Sequence, residues 1–156
     1  MIDIKLLPLS DQIFQYINPD TNEYIVFAAT RLLVTLIKDA RHDLVRISAL
    51  TQDQIKQIEP SIEEHRIETF DPHFAELPIV GCTWDVDKRT TIVDGNHRLT
   101  YNWRRGRREF KWFDVPEQMW REFLVLGVPR QSAEQILAAE SPRGMWRGKA
   151  KIFQGT

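Results

Sequence analysis

Residues 90–106, TTIVDGNHRLTYNWRRG, decide the fold of this chain because each structural signal in them follows directly on the one before. Thr90 to Val93 is β-branched or apolar throughout, which predicts a strand that is buried on both faces. From Asn96 to Arg105 the apolar residues recur four positions apart, as they do on one side of a helix. Gly106 is typical of the left-handed end of a helix. The stretch therefore predicts a strand, a tight Asp-Gly turn and a helix.

Two further strands flank this unit. Leu77 to Trp84 is largely apolar, and Asp85 to Arg89 predicts a turn, so that Leu77–Trp84 and Thr90–Val93 form a hairpin. Glu109 to Val115 alternates until Pro116 ends it, which predicts another strand. Strands and helices thus mix along the chain, and we predict an α+β fold, a small mixed sheet with surrounding helices.

The other segments carry local signals of their own. Thr51 followed by Gln54 three residues later is the pattern of a capping box, which predicts a helix start. Residues 18–48 match no motif. We predict a strand over Ile2 to Leu9, helices over Ala28 to Ala40 and from Thr51 with a break at Pro60, a loop over Thr69 to Pro78, and helical stretches over Pro116 to Leu126 and Arg130 to Ala139.

Length and composition are typical of one folded domain. The chain has 156 residues, of which 42% are hydrophobic and 28% charged. We assign residues 1–140 to that domain and residues 141–156 to a basic, flexible tail. No apolar run reaches the roughly 18 residues that span a bilayer, and the amino terminus lacks the pattern of a signal peptide. Cys82 is the only cysteine, so no internal disulfide can form, and we expect a reducing, cytoplasmic location. We predict that Cys82 is a small core residue. Because no apolar run is long enough to span a bilayer, we expect no membrane partner.

The Asp-Gly turn before the predicted helix is a candidate anion site. The first N–H groups of a helix lack partners within it and point outward at the positive end of the helix dipole. Such a start suits a phosphate, which Gly95 lets approach closely and which Arg98 can hold with two charge-assisted hydrogen bonds. His97 is placed to donate to a phosphate oxygen or to transfer a proton. Asp94 orients His97 or Arg98, caps the helix, or binds Mg²⁺.

A purely structural alternative explains the same residues without a ligand. Short polar turns before helices are common, so Asp94 or Asn96 can act only as a helix cap. His97 is then an incidental surface histidine and Arg98 a solvated charge. Spacing alone leaves both interpretations open.

The order of motifs between Leu77 and Val115 carries a resemblance. The chain runs Leu-Pro-Ile-Val, then Thr-Ile-Val-Asp-Gly-Asn-His-Arg-Leu-Thr-Tyr-Asn-Trp-Arg-Arg-Gly, then Phe-Lys-Trp-Phe-Asp-Val. This order resembles the ParB/sulfiredoxin-like superfamily, in which a proline-containing strand pairs with a strand ending in Asp-Gly, and a helix, a glycine and one further strand follow. Its members include partition proteins that bind and hydrolyse CTP, sulfiredoxins that use ATP, serine kinases that use ADP, and proteins reported as nucleases.

The resemblance implies that a nucleotide phosphate lies around Gly95, Asn96, His97 and Arg98, with Asp94 at the end of the preceding strand. ATP, ADP or CTP is then the ligand, with Mg²⁺ held by Asp94, and Asp94, His97 and Arg98 are catalytic. Sulfiredoxins have a cysteine where this chain has Asn96, so sulfinic acid repair is not expected. The serine kinases use a carboxylate from outside the motif as general base, and the candidates here are Glu68, Asp71 and Glu76.

A basic group follows the motif and consists of Arg104, Arg105, Arg107, Arg108 and Lys111. With Trp103 and Trp112 between these residues, the group has the composition of a surface that binds a nucleic-acid backbone and stacks on bases, which makes DNA a candidate partner. The structural alternative is a solvated helix end with both tryptophans in the core. Because the preceding segment is acidic, we expect the two segments to neutralise each other partly in the folded chain.

The sequence supports three hypotheses about function. The first is a nucleotide-binding enzyme that hydrolyses or transfers a nucleotide phosphate at the Asp-Gly-Asn-His-Arg turn, by positioning and charge stabilisation. The second is a DNA-binding protein or nuclease of plasmid or phage type, whose binding would weaken steeply with salt. The third is a binding protein that has kept the fold without catalysis.

Overall fold

The computed structural model describes residues 1–8, 11–18, 23–126 and the backbone of 151–153. Within these residues the chain forms nine strands and six α-helices. The strands are β1 (Ile2–Asp3), β2 (Ile13–Ile17), β3 (Tyr24–Ala28), β4 (Val45–Ala49), β5 (Ile79–Thr83), β6 (Thr90–Asp94), β7 (Glu109–Val115), β8 (Val125–Leu126) and β9 (Lys151–Phe153). The helices are α1 (Ala29–Lys38), α2 (Gln52–Ile58), α3 (Glu64–Glu68), α4 (Pro72–Ala75), α5 (Asn96–Arg104) and α6 (Glu117–Trp120).

Five strands form one mixed sheet in the order β4-β7-β5-β6-β9. The predicted hairpin is present, since β5 and β6 pair antiparallel, while β7 runs parallel to β5. β4 and β9 pair antiparallel with their neighbours at the two edges. Two smaller pairs lie outside this sheet, β1 with β8 and β2 with β3. The predicted α+β class, with a small mixed sheet and several helices, is confirmed.

Strand β6, inside the main sheet, faces a core on each side of the sheet. Ile92 packs into a cluster with Leu99 of α5, whereas its neighbour Val93 packs into a second cluster with Trp84. Alternate strand residues point to opposite faces, so a strand buried on both sides carries apolar or β-branched residues at every position. The prediction that Thr90 to Val93 is buried on both faces is confirmed.

An aromatic group joins the hairpin to the rest of the larger core. The Trp84 and Trp120 rings pack edge to face with centroids 4.9 Å apart, and Phe27 packs against Trp120 at 5.2 Å. The Trp120 indole N–H donates to the Thr83 carbonyl oxygen at 2.9 Å, so this buried polar group is satisfied. Cys82 lies in the same cluster with no exposed surface, which confirms its prediction as a core residue.

Several predicted helix boundaries are confirmed by their capping contacts. α1 falls within the predicted Ala28 to Ala40. At the start of α2 both hydrogen bonds of the capping box form, because Gln54 N donates to Thr51 Oγ1 and Thr51 N donates to Gln54 Oε1. Pro60 lies in a 3-10 turn that follows α2, as the predicted break requires. Gly106 follows α5 with φ of 90°, in the left-handed region.

Three predictions need correction. The strand expected over Ile2 to Leu9 ends at Asp3, because the Asp3 carboxylate accepts a hydrogen bond from Lys5 N and starts a 3-10 turn. The loop expected over Thr69 to Pro78 contains α4, which Asp71 caps by accepting from His73 N. The helical stretch expected over residues 116–126 is only helical up to Phe123, because β8 then pairs with β1.

Strands β2, β3, β4 and β8 were not predicted. The helix predicted over Arg130 to Ala139 lies outside the described residues, as does most of the tail predicted over 141–156. Within that tail the described strand β9 pairs with Thr90 to Ile92 of β6 and forms an edge of the main sheet. A strand in this segment was not predicted.

Candidate functional site

The predicted anion site begins where β6 passes into α5. β6 ends at Asp94, Gly95 stands between the two elements, and α5 begins at Asn96. No side chain caps this helix, and its first intrahelical bond runs from Leu99 N to the Gly95 carbonyl oxygen at 2.9 Å. The N–H groups of the first turn therefore have no acceptor within the helix and lie at its positive end.

Gly95 is needed here for a structural reason that the sequence did not show. Its φ of 120° lies in a region that L side chains rarely adopt. A Cβ at this position would also collide with Cδ1 of Ile79 at the start of β5. The glycine thus permits the close approach of the turn to β5, whether or not a ligand approaches the turn from its other side.

Arg98 points into the protein and not into solvent. Its Nη2 lies 2.9 Å from Asp94 Oδ2 and donates to the Pro78 carbonyl oxygen at 2.8 Å. Its guanidinium also lies over the Phe74 ring, 4.9 Å from the ring centroid. The whole residue is only 1% exposed, so the alternative of a solvated charge is wrong for Arg98. Its buried Nε has no hydrogen-bond partner.

His97 is a buried hydrogen-bond acceptor. Its Nε2 accepts from the backbone N–H of Glu63 at 3.0 Å, which joins α5 to the start of α3. The residue is 8% exposed, so the alternative of an incidental surface histidine is also wrong. Because Nε2 accepts a hydrogen bond in this arrangement, the proton of the neutral ring is on Nδ1. His97 therefore holds α3 in place next to the helix start.

A cavity of about 370 Å³ opens at this helix start. One end is lined by the turn from Asp94 to Arg98, which brings together all five residues predicted for the site. An apolar wall comes from α1 and from the segment that contains α3 and α4, and Phe74 of this wall also contacts Arg98. The apolar side chains of that wall are Leu33, Val34, Ile37, Phe70, Phe74 and Leu77. The uncapped helix start and an apolar wall thus line one cavity.

Polar side chains also line the cavity. Arg66 of α3 and the hydroxyl groups of Ser61 and Thr30 line the cavity. The Ser61 hydroxyl donates to the Ile58 carbonyl oxygen at 2.7 Å, and Thr30 Oγ1 accepts from Gln12 N at 2.9 Å. Asn96 Oδ1 is buried without a hydrogen-bond partner. Buried polar atoms are usually paired, so the unpartnered atoms of Asn96 and Arg98 mark this end of the cavity as unusual.

The three carboxylates proposed as general bases lie elsewhere. Glu68 is exposed, Asp71 caps α4, and Glu76 pairs with Arg105 and Arg107. None of the three lines the cavity among the residues that the structure describes. Sequence proximity to the central strand was their only support, and the chain instead turns their carboxylates towards solvent or towards arginines.

The basic group after the motif is largely paired with the acidic segment. Arg104 makes two 2.7 Å hydrogen bonds to the Glu64 carboxylate, and Arg105 and Arg107 both contact Glu76. Arg108 lies over the Trp103 ring, 3.7 Å from its centroid. The expectation that the two segments partly neutralise each other is confirmed.

The pairing of α3 with α5 also has an electrostatic consequence. The hydrogen bonds from Arg104 lower the pKa of Glu64 below its ordinary value of 4.5, and the same contact raises the pKa of Arg104. Both side chains are exposed, so the effect is screened by solvent and salt. The contact still places α3, and with it Arg66, next to α5.

Asp94 is better suited to holding Arg98 than to binding a cation. Its side chain is 11% exposed and its carboxylate already faces a guanidinium, which offsets its negative charge. In the described part of the chain no three His, Cys, Asp or Glu side chains come together as a metal site. The residues around Asp94 therefore do not fit a magnesium ion that the protein holds by itself.

Burial decides the chemistry of the single cysteine. Burial raises the pKa of the Cys82 thiol well above its ordinary value, and the nearby Asp114 charge adds to this effect. Cys82 lies on β5, inside the core. It is therefore an unreactive core residue, as expected from its apolar neighbours in sequence.

Much of the cavity comes from residues that no motif predicted. α1 supplies one side of the apolar wall, and the segment from Ser61 to Leu77 closes over the helix start. One sequence signal was available, because Val34 and Ile37 are apolar yet lie beside the main stripe of α1, and they are 49% and 44% exposed. Exposed apolar side chains that line a cavity are typical of ligand sites.

No family model, curated protein or solved structure matches this chain. Over the residues that the structure describes, the helices are too short or too polar to cross a bilayer.

Proposed function

We propose that this chain is a ParB/sulfiredoxin-like protein that binds a nucleotide in the cavity at the start of α5. The phosphates lie against the N–H groups of Asn96 and His97, and the base lies against the apolar wall. One observation carries the proposal: the uncapped helix start and the apolar wall line the same cavity. A nucleotide has the same division into an anionic end and a flat, largely apolar ring.

The physical chemistry of the two ends supports this assignment. Backbone N–H groups at a helix start bind phosphate through hydrogen bonds and through the helix dipole. Aromatic and aliphatic walls with a few placed polar groups are typical of small-molecule sites, which measure about 300–1,000 Å³. The cavity volume of about 370 Å³ falls within that range.

Binding is the part of the function that the geometry supports best. Hydrolysis or transfer of the terminal phosphate assigns catalytic roles to Asp94, His97 and Arg98. In the described arrangement Asp94 and Arg98 pair with each other, and His97 Nε2 accepts from Glu63 N. Catalysis therefore requires these side chains to change partners when the ligand arrives, whereas binding to the backbone N–H groups does not.

Nucleic-acid binding through the basic group has less support. Three of its arginines pair with Glu64 or Glu76, and a fourth lies over Trp103. A DNA phosphate would have to displace these carboxylates, which reduces the net electrostatic gain. No further observation favours DNA over a nucleotide.

The test is calorimetric titration of ATP, ADP, CTP and GTP, each with Mg²⁺, into the full chain. We expect one of them to bind saturably. The variant Asn96→Asp places a negative charge at the start of α5, where it stabilises the helix dipole but repels phosphate, and should abolish that binding. Gln52→Glu makes the same change in charge at the start of α2 and should bind as the wild type does.

Phosphate release by the bound nucleotide, measured over hours at saturation, separates an enzyme from a binding protein. If none of the four nucleotides binds the wild type, the proposed function is wrong. If one binds but Asn96→Asp and Gln52→Glu both bind it normally, the ligand site lies away from α5.

A further inference from the structure

We propose that Arg66 is the side chain that binds the phosphate of the ligand, and that it gives the cavity its preference for phosphorylated ligands. This inference rests on the proposed function and names a residue outside the Asp-Gly-Asn-His-Arg motif. Arg66 lies on α3 and lines the same cavity as the start of α5. Sequence spacing favoured Arg98 for this role.

The first argument is the commitment of Arg98. Its Nη2 donates to the Pro78 carbonyl oxygen and lies 2.9 Å from Asp94 Oδ2, and its side chain is only 2% exposed. A ligand that entered from solvent would have to separate a buried ion pair to use the whole guanidinium. Removing the partner of a buried charge is strongly unfavourable, so Arg98 is poorly placed to be the main phosphate contact.

The second argument is the position of Arg66. It is half-buried and lies in the cavity lining, so its side chain is more accessible from solvent than that of Arg98, which is 1% exposed. Arginine offers a planar fork of donors that matches phosphate oxygens, which neither the Ser61 nor the Thr30 hydroxyl can offer. Two arginines and one aspartate line the cavity, so its lining carries a formal positive charge when His97 is neutral.

The third argument is that two contacts fix α3 against α5. His97 Nε2 accepts from Glu63 N at the start of α3, and Glu64 binds Arg104 near the end of α5. Glu63 immediately precedes α3 and Glu64 is its first residue, so Arg66 lies close to both contacts in the same short segment. An arginine held in this way loses less conformational entropy when it binds a ligand than one on a free segment.

A fourth observation points to a ligand at this end of the cavity. Arg98 Nε, Asn96 Oδ1 and Asp94 Oδ2 are buried without hydrogen-bond partners, and all three residues line the cavity. The first is a donor and the other two are acceptors, so they suit a ligand that brings both an anionic oxygen and a hydroxyl group. Arg66 adds a guanidinium to the same cavity lining.

The test compares Arg66→Ala, Arg66→Lys and the control Arg41→Ala by calorimetry of the full chain. The probes are the tightest binder among ATP, ADP, CTP and GTP, and the nucleoside that corresponds to it. Arg41 pairs with Asp43 at an exposed turn and does not line the cavity, so its loss removes one positive charge away from the cavity. Thermal unfolding of each variant checks that the fold is retained.

We expect Arg66→Ala to weaken nucleotide binding by about ten- to a hundredfold, the range for a charge-assisted contact. Nucleoside binding should not change, because the nucleoside lacks the phosphate. Arg66→Lys should fall between Arg66→Ala and the wild type, and Arg41→Ala should match the wild type. The dependence of affinity on salt should be less steep for Arg66→Ala, a readout that a merely structural role would not move.

Two results would overturn the inference, and they are distinct. If the wild type binds a nucleotide and Arg66→Ala binds it equally well, Arg66 is not the phosphate ligand, although the proposed function stands. If the wild type binds none of the four nucleotides, the proposed function and this inference fail together.

Discussion

Arg98 Nη2 lies 2.9 Å from Asp94 Oδ2 across the junction of β6 and α5, and both side chains are almost fully buried. The same nitrogen donates to the Pro78 carbonyl oxygen just before β5. This ion pair therefore ties together the hairpin and the helix of the predicted motif. Its first consequence concerns stability and not catalysis.

Replacing Arg98 by methionine should lower the free energy of unfolding by about 3–5 kcal/mol, because it leaves the Asp94 carboxylate buried without its partner. Urea denaturation at neutral pH measures this loss. The double variant Asp94→Asn/Arg98→Met removes both charges and should recover part of the stability. A loss below about 1 kcal/mol for Arg98→Met would show that the pair contributes little. Loss of binding in an Arg98 variant alone would thus not identify a phosphate contact.

Gly95→Ala should destabilise the fold by about 2–5 kcal/mol, since it combines backbone strain at φ of 120° with a collision against Ile79. Gly106→Ala is the matched control, because Gly106 also has positive φ but its Cβ would meet no atom within 4 Å. Its expected cost is about 1–2 kcal/mol. Chemical denaturation of both variants compares them. Equal costs would mean that contact with Ile79 is unimportant.

His97→Leu should lower the free energy of unfolding by about 1–3 kcal/mol, because Glu63 N loses the acceptor to which it donates. His97→Gln offers an oxygen as acceptor and should lose less. His73→Leu serves as the control, since the His73 side chain is 99% exposed, and it should change stability by no more than about 0.5 kcal/mol. If His97→Leu behaves like His73→Leu in urea denaturation, the contact between α5 and α3 contributes no stability.

Local signals explain why the central unit of the fold was predictable. β6, the Asp-Gly turn, α5 and Gly106 each depend on a few adjacent residues, namely a β-branched run, a turn pair, helical spacing and a glycine stop. The capping box at Thr51 is equally local, and both of its hydrogen bonds form. Strand β4 was missed because Val45 to Ala49 is half-exposed at a sheet edge, where burial imposes no clear alternation.

The site was predictable in position but not in the direction of its side chains. The cavity does lie at the Asp94 to Arg98 turn. Arg98, however, turns inward because of the Pro78 carbonyl, twenty residues earlier in the chain. His97 accepts from Glu63, which lies thirty-four residues earlier. Contacts between residues so far apart are set by the packing of elements, and the spacing of a motif does not contain that information.

The Glu64–Arg104 contact should make stability depend on pH in acid. The pKa of Glu64 is lower in the folded chain than its ordinary value of 4.5, so the contact stabilises the fold above that pH and the stabilisation is lost as pH falls through the folded pKa. Glu64→Gln has no such contribution to lose. Urea denaturation should therefore show a difference in unfolding free energy between wild type and Glu64→Gln at pH 7 that narrows as the pH falls below 4.5. High salt should also narrow this difference. A difference that stays constant as the pH falls, or that does not respond to salt, would contradict this electrostatic origin.

The apolar wall leads to a last prediction, which concerns ligand binding and not stability. Val34 is 49% exposed on α1 and lines the cavity. Val34→Glu places a carboxylate beside the proposed phosphate and base, and should weaken nucleotide binding by about 1 kcal/mol, or roughly fivefold. Val86 is 73% exposed in the turn between β5 and β6, so Val86→Glu adds the same charge away from the cavity and should leave affinity unchanged. Because both positions are exposed, each variant should keep its fold, which thermal unfolding verifies. Calorimetry with the best-binding nucleotide measures the affinity of both variants. If the two variants weaken binding equally, the change in net charge is responsible and not the position on α1. The base then does not lie against this helix.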